Sequence, residues 1–206
     1  MKYINLFLII LLFWAAWEIA LVSNRTNRKE AQRKKSFWEK EAQANAVRRA
    51  DISNLPYLVL DLTLLPMNSL IPALAHRAKE LESLAKEKLI NLSMYSNTEL
   101  KLMYGPANLE ELSIYDNNYL RLIRLLNSIG KELIESGNLS AATEFLSYSL
   151  SIGSDISESF IMLADIYKSK GRSRDIDLLI KLAEGLETIN RASLISKLNN
   201  IKSNNK

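Results

Sequence analysis

A chain of 206 residues with no cysteine, one histidine and six glycines has room for one domain and an anchor. It excludes disulfides, thiolate metal sites, cysteine nucleophiles and lipid attached at cysteine. The net charge of +4 is a local property: residues 24–50 carry nine Lys/Arg against three Asp/Glu, whereas residues 51–206 carry 17 against 19. The basic balance therefore belongs to one short segment and not to a basic domain.

Ile4–Val22 is almost wholly apolar, broken only by Asn5 near its start and Glu18 near its end. Its 19 residues reach the length a helix needs to cross a hydrocarbon core. Trp14 and Trp17 lie toward its C-terminal half, where an interfacial belt belongs. The rival reading is a cleaved secretory signal. Only Lys2 precedes the apolar run, and Trp17 and Glu18 interrupt the small residues Ala15, Ala16 and Ala20. That pattern favours an uncleaved transmembrane anchor over residues 1–23.

Arg25, Arg28, Lys29, Arg33, Lys34 and Lys35 follow the span closely, against Lys2 alone before it. This asymmetry predicts a single-pass protein whose C-terminal domain is cytoplasmic. The same cations would meet anionic lipid headgroups at the membrane surface. Residues 24–50 contain no Pro or Gly, which predicts a basic juxtamembrane helix continuing outward until the stretch before Pro56 stops it. Phe37 and Trp38 interrupt that helix, and burial against the domain or contact with the membrane surface accounts for them.

Residues 51–118 read as an extended segment followed by short packing helices. Tyr57–Pro66 is apolar and bracketed by prolines, and with no second strand-like run to pair with it is expected to pack extended on helices. Leu74, Ala78, Leu81, Ala85 and Leu89 recur at steps of four and three, predicting an amphipathic helix over Ala73–Leu89 with Pro72 in its first turn. A short helix is expected at 98–103, capped by Asn97 or Thr98 and stopped by Gly105-Pro106. A further turn or two is expected at Asn108–Tyr115.

Leu126-x2-Ile129-Gly130-x2-Leu133 is followed 34 residues later by Phe160-x2-Leu163-Ala164-x2-Tyr167, and Gly137 recurs as Gly171 (171 − 137 = 34). A small residue lets a partner helix approach while large neighbours fill the flanking holes. Ala142 with Leu146, and Ile176 with Ile180 and Ala183, supply the second helix of each pair. This period and spacing resemble the tetratricopeptide repeat, a helix-turn-helix unit. The resemblance covers about residues 123–156 and 157–190, with departures. Leu126 and Phe160 stand where the family has Trp, Leu133 where it has Tyr, and Ser154 and Thr188 where it has the closing Pro. Leu194, Leu198 and Ile201 continue a helical period and predict a terminal helix that caps the last pair. The expected fold is thus all-α: an anchor, a stalk, packing helices over 51–118, two helix pairs with a cap over 119–201, and a disordered tail over 202–206.

The resemblance implies protein binding on the concave face lined by first helices. Mapped onto this chain, that face carries Arg124, Asn127 and Lys131 in one unit, and Asp165 and Lys168 in the other. No recognisable carboxylate-clamp set is present among them. For chemistry the sequence offers little. His76 reads as an exposed helix residue, and no HExxH, GxSxG, phosphate-binding glycine loop or metal-ligand cluster occurs. No catalytic, cofactor or metal site is expected, nor a small-molecule substrate. Lipid, rather than nucleic acid, is the anion expected at the basic stalk. The function expected is a membrane-tethered scaffold that binds a protein partner. The alternative is an accessory subunit of a cell-envelope or polysaccharide-export machine acting through membrane contacts, and the layout of anchor and basic flank looks bacterial.

Overall fold

The computed structural model describes residues 2–70 and 72–203. Among them the secondary structure is helical, without strands: α1 Lys2–Asn45, α2 Ala75–Leu84, α3 Asn97–Tyr104, α4 Leu109–Glu135, α5 Leu139–Ser151, α6 Ser157–Ser169, α7 Ser173–Glu184 and α8 Arg191–Ser203, with four short 3-10 turns. The expected all-α class is therefore observed. Two compact units form, Met1–Ile52 with Tyr95–Leu109, and Ser53–Met94 with Glu110–Lys206.

In the first unit α1 ends at Asn45, five residues short of the expected stop at residue 50. The reason is tertiary. Ala46 and Val47 donate backward to Gln43 and Ala44 carbonyls, and the Ala50 N–H is taken by the Tyr104 carbonyl at 3.0 Å. Asn108, wholly buried, donates Nδ2 to the carbonyls of Ala50 at 2.8 Å and Tyr104 at 2.6 Å, while its Oδ1 accepts from Arg49 Nε at 2.9 Å. These bonds hold the chain after α1 in a non-helical path. The α3 cap is Ser96, not Asn97 or Thr98: its Oγ accepts from Glu99 N, and Glu99 Oε2 accepts from Ser96 N at 2.8 Å, a reciprocal capping box. Gly105 ends α3 at φ 83°, where a Cβ would stand 2.6 Å from the Arg48 carbonyl oxygen.

Across the α1–α3 contact, Ala44 and Leu100 are buried. Glu41 accepts from Thr98 Oγ1 at 2.7 Å and pairs with Lys101. The Lys101 ammonium beside it, with the Thr98 hydroxyl, holds the Glu41 carboxyl below its usual range. Phe37 and Trp38 meet edge-on at 5.4 Å and stay 52 % and 66 % exposed, so they are not buried against the domain. Most side chains of Ile4–Val22, on which the membrane-span reading rests, lie outside those described. Among the described residues no helix is long and apolar enough to cross a membrane.

In the second unit the extended path expected over Tyr57–Pro66 holds through Asp61 and is then broken by a 3-10 turn, Leu62–Leu64, that Asp61 caps by accepting from the Thr63 N–H at 2.9 Å; Leu60 and Leu65 are buried and Val59 and Leu64 exposed. The Leu58 N–H donates to the Leu89 carbonyl at 2.8 Å, which explains why α2 is shorter than the expected Ala73–Leu89. Leu89 is drawn off the helix to serve this bond, and the helix closes at Leu84 with tight backward bonds from Lys86 and Glu87. Lys88 sits over the rings of both Tyr57 and Tyr115, at 5.0 and 5.1 Å.

Of the separate turn expected at Asn108–Tyr115, Asn108 closes a 3-10 turn and Leu109–Tyr115 open α4, which runs unbroken for 27 residues. Leu112, Tyr119, Leu126 and Leu133, each seven apart, are buried, with Leu122 and Ile129 between them. One continuous apolar stripe thus carries the helix through. Tyr119 donates to the Ile152 carbonyl at 3.3 Å, and burial, with Asp155 nearby, pushes its hydroxyl up to about 12.

The helix pairs fold around small residues. Gly130, Ala142 and Ala164 lie at buried contacts among Leu126, Phe145, Leu146, Phe160 and Leu163. Gly137 and Gly171 both take positive φ, 83° and 68°, at the ends of α4 and α6. The terminal helix α8 packs on α6 and α7 through Leu194 and Leu198. It extends through Lys202 and Ser203, which were expected in the tail; Lys202 Nζ pairs with Asp177 Oδ1 at 2.5 Å. Residues 204–206 of the expected tail lie outside the described residues.

Candidate functional site

The five residues expected on the first-helix face divide into four neighbourhoods on α4 and α6. The centre is a polar bridge between these helices. Asn127 Nδ2 donates to Glu158 Oε2 at 2.9 Å, Lys131 Nζ donates to Glu158 Oε1 at 3.2 Å, and Ser159 Oγ donates to Asn127 Oδ1 at 2.7 Å. Glu158 lies in the first turn of α6, where the helix dipole favours a carboxylate. The Asn127 amide, then the Lys131 ammonium, hold its carboxyl below the usual range. Lys131 and Glu158 remain about half exposed, so the bridge fixes geometry more than it adds stability.

Arg124 lies apart, exposed in a shallow notch of about 330 Å³ against α2. Two other arginines line that notch, each already paired: Arg77 with Glu132, and Arg121 with Glu80 at 3.0 Å. Asp165 is exposed and borders an apolar notch of about 280 Å³ lined by Ile134, Leu139, Met162 and Ile166. Lys168 is half-buried in the last turn of α6. The structure therefore joins Asn127 and Lys131 and leaves Arg124, Asp165 and Lys168 outside that bridge.

Glu158 escaped the sequence reading although the repeat contains it: 158 − 34 = 124, the register partner of Arg124. Applying the period in both directions would have found it. The apolar surface of α7, where Leu178 and Leu182 are 57 % and 55 % exposed, carried no sequence signal that separates it from core.

Along α1, Arg25, Arg28, Lys29 and Arg33 are exposed, Lys34 pairs with Glu30 at 2.8 Å and Lys35 approaches Glu39 at 3.9 Å. His76 is exposed. Among the described residues no group of three or more His, Cys, Asp or Glu side chains is arranged to hold a metal ion. Compared with protein-family models, with curated proteins and with solved structures, the chain matches none.

Proposed function

We propose that the chain is a membrane-tethered scaffold: an N-terminal single-pass anchor, a basic stalk, and two tetratricopeptide-like helix pairs, α4–α5 and α6–α7, that bind a protein partner on the cytoplasmic side. The observation that carries the reading is the α4–α6 face. Polar side chains stand on it above a buried core, and a cross-helix bridge through Glu158 presets two of them, Asn127 and Lys131. A face that is polar, ordered and not needed for the core is suited to recognition. Ile4–Val22 and the cations after it support the tether and its orientation.

The test is a pull-down with the full chain and with a variant lacking the anchor, beside reporters fused at the C-terminus. A scaffold keeps its partner without the anchor and activates a cytoplasmic reporter. Activity of a periplasm-type reporter overturns the orientation. A second reading, an accessory subunit of an envelope or polysaccharide-export machine, is favoured by the exposed Phe37–Trp38 pair on α1. A partner lost together with the anchor, or on changing Phe37 and Trp38 to serine, selects it.

A further inference from the structure

A groove of about 400 Å³ lies between α5 and α7, floored by Leu163 and Tyr167 of α6. Leu150 of α5 and Leu178, Leu179 and Leu182 of α7 wall it. Leu178 and Leu182, one helical turn apart, are more than half exposed, a poor use of leucine unless something covers them. Among the described residues that line the groove, Asp175 is the one carboxylate, and Arg172 neutralises it at 2.8 Å while stacking on the Tyr167 ring at 4.8 Å.

The rim is basic. Lys170 and Arg172 are exposed on the turn that joins α6 to α7, and Arg174 is exposed in the first turn of α7. Arg174 and Lys181 are exposed four and three residues from Leu178, hence beside it on the helix surface. Neither forms an ion pair among the described residues. Apolar floor, protruding leucines and uncompensated cations together specify an occupant with apolar residues on one side and carboxylates beside them. The described residues include no strand, so no sheet edge is available for an extended peptide to join. Two parallel rows of side chains on neighbouring helices instead suit a third helix laid into the channel.

We infer that the α5–α7 groove binds an acidic amphipathic helix of a partner protein. The inference rests on the scaffold reading and names both a second docking face and the chemistry of the segment it takes. The partner's apolar stripe lies over Leu178 and Leu182, and its carboxylates meet Arg174 and Lys181, steering association.

The test uses the full chain in nanodiscs of zwitterionic lipid, titrated into a fluorescent helical peptide of about 18 residues with leucines at i, i+3, i+4 and i+7 and glutamates elsewhere. The control peptide has lysine in place of each glutamate. Anisotropy is expected to show the glutamate peptide binding about tenfold or more tightly than the lysine peptide, with a preference that falls as salt rises. Leu178→Asp with Leu182→Asp is expected to abolish binding. Arg174→Glu with Lys181→Glu is expected to invert the peptide preference. All four side chains are exposed, so far-UV circular dichroism should be unchanged, and the charge pair decides the matter if the aspartates perturb the fold. Equal binding of both peptides, or binding indifferent to both pairs of substitutions, overturns the proposal. So does a dimer in sedimentation that the aspartates dissociate and the glutamate peptide does not, since the groove then belongs to a second copy of the chain. A partner that survives anchor deletion while the glutamate peptide fails to bind leaves the scaffold standing and removes this groove from it.

Discussion

Gly130 of α4 and Leu146 of α5 touch so closely that a Cβ added to Gly130 would stand 2.5 Å from both Cγ and Cδ2 of Leu146. Leu146 is fully buried, so its side chain must shift within the core to admit the methyl. Gly130→Ala gains about 1 kcal/mol of helix propensity but overpacks the contact by roughly 1–3 kcal/mol, so a net loss of stability is expected. Leu146→Ala should cost about 2–5 kcal/mol by itself. The double variant should be less damaged than the two losses added together, because the smaller side chain makes room for the methyl. Strict additivity in thermal melts would show that the two residues do not share a contact.

The second helix pair has the same weak point in another form. Leu163 and Ala164 of α6 are both fully buried. Leu163→Ala leaves a cavity and should cost about 2–5 kcal/mol. Ala164→Leu overfills the same contact and should cost roughly 1–3 kcal/mol. Wild-type melting of both variants would refute the helix pairing.

Asn108 organises the first unit from a fully buried position, serving two carbonyls and one arginine. Asn108→Ala leaves the Ala50 carbonyl without its Asn108 donor and the Tyr104 carbonyl with the Ala50 N–H alone, and should cost about 1–3 kcal/mol. The loss should be local. Hydrogen exchange should quicken over Asn97–Tyr104 while α5–α8 keep their protection. Unchanged protection of α3 would mean that the capping box and the Glu41 contacts hold it without Asn108.

The Glu158 bridge makes a pH-dependent contribution whose sign is set. Its folded-state pKa is lowered, so the bridge contributes in full above the unfolded glutamate value and is lost as pH falls through the depressed folded value. Glu158→Gln should lower stability at neutral pH by no more than about 1 kcal/mol, since the pair is half exposed. Wild type and variant should converge as the solution is acidified below about pH 4. A difference between them that persists or grows in acid would assign the effect to something other than the charge.

Much of the second unit was legible in order along the chain. The 34-residue spacing marked Gly130, Leu163 and Ala164 as contact residues, and Gly137 and Gly171 as helix ends, because close approach and left-handed backbone restrict residue type locally. The capping box Ser96-x2-Glu99 was equally local and was overlooked. The bridge glutamate was reachable from the period, since Glu158 stands one repeat after Arg124.

Other features were decided only when distant segments met. α1 stops at Asn45 and α2 at Leu84 because backbone groups of Ala50 and Leu89 find partners at Tyr104 and Leu58, and no local propensity encodes a bond made across tens of residues. The same holds for exposure. Leu178 and Leu182 have the helical spacing of core residues, as Leu194 and Leu198 do, and sequence alone cannot tell the pairs apart. Burial depends on whether another element lies on that face. α8 covers its own leucines against α6 and α7, whereas α5 and α7 leave a channel open beside Leu178 and Leu182.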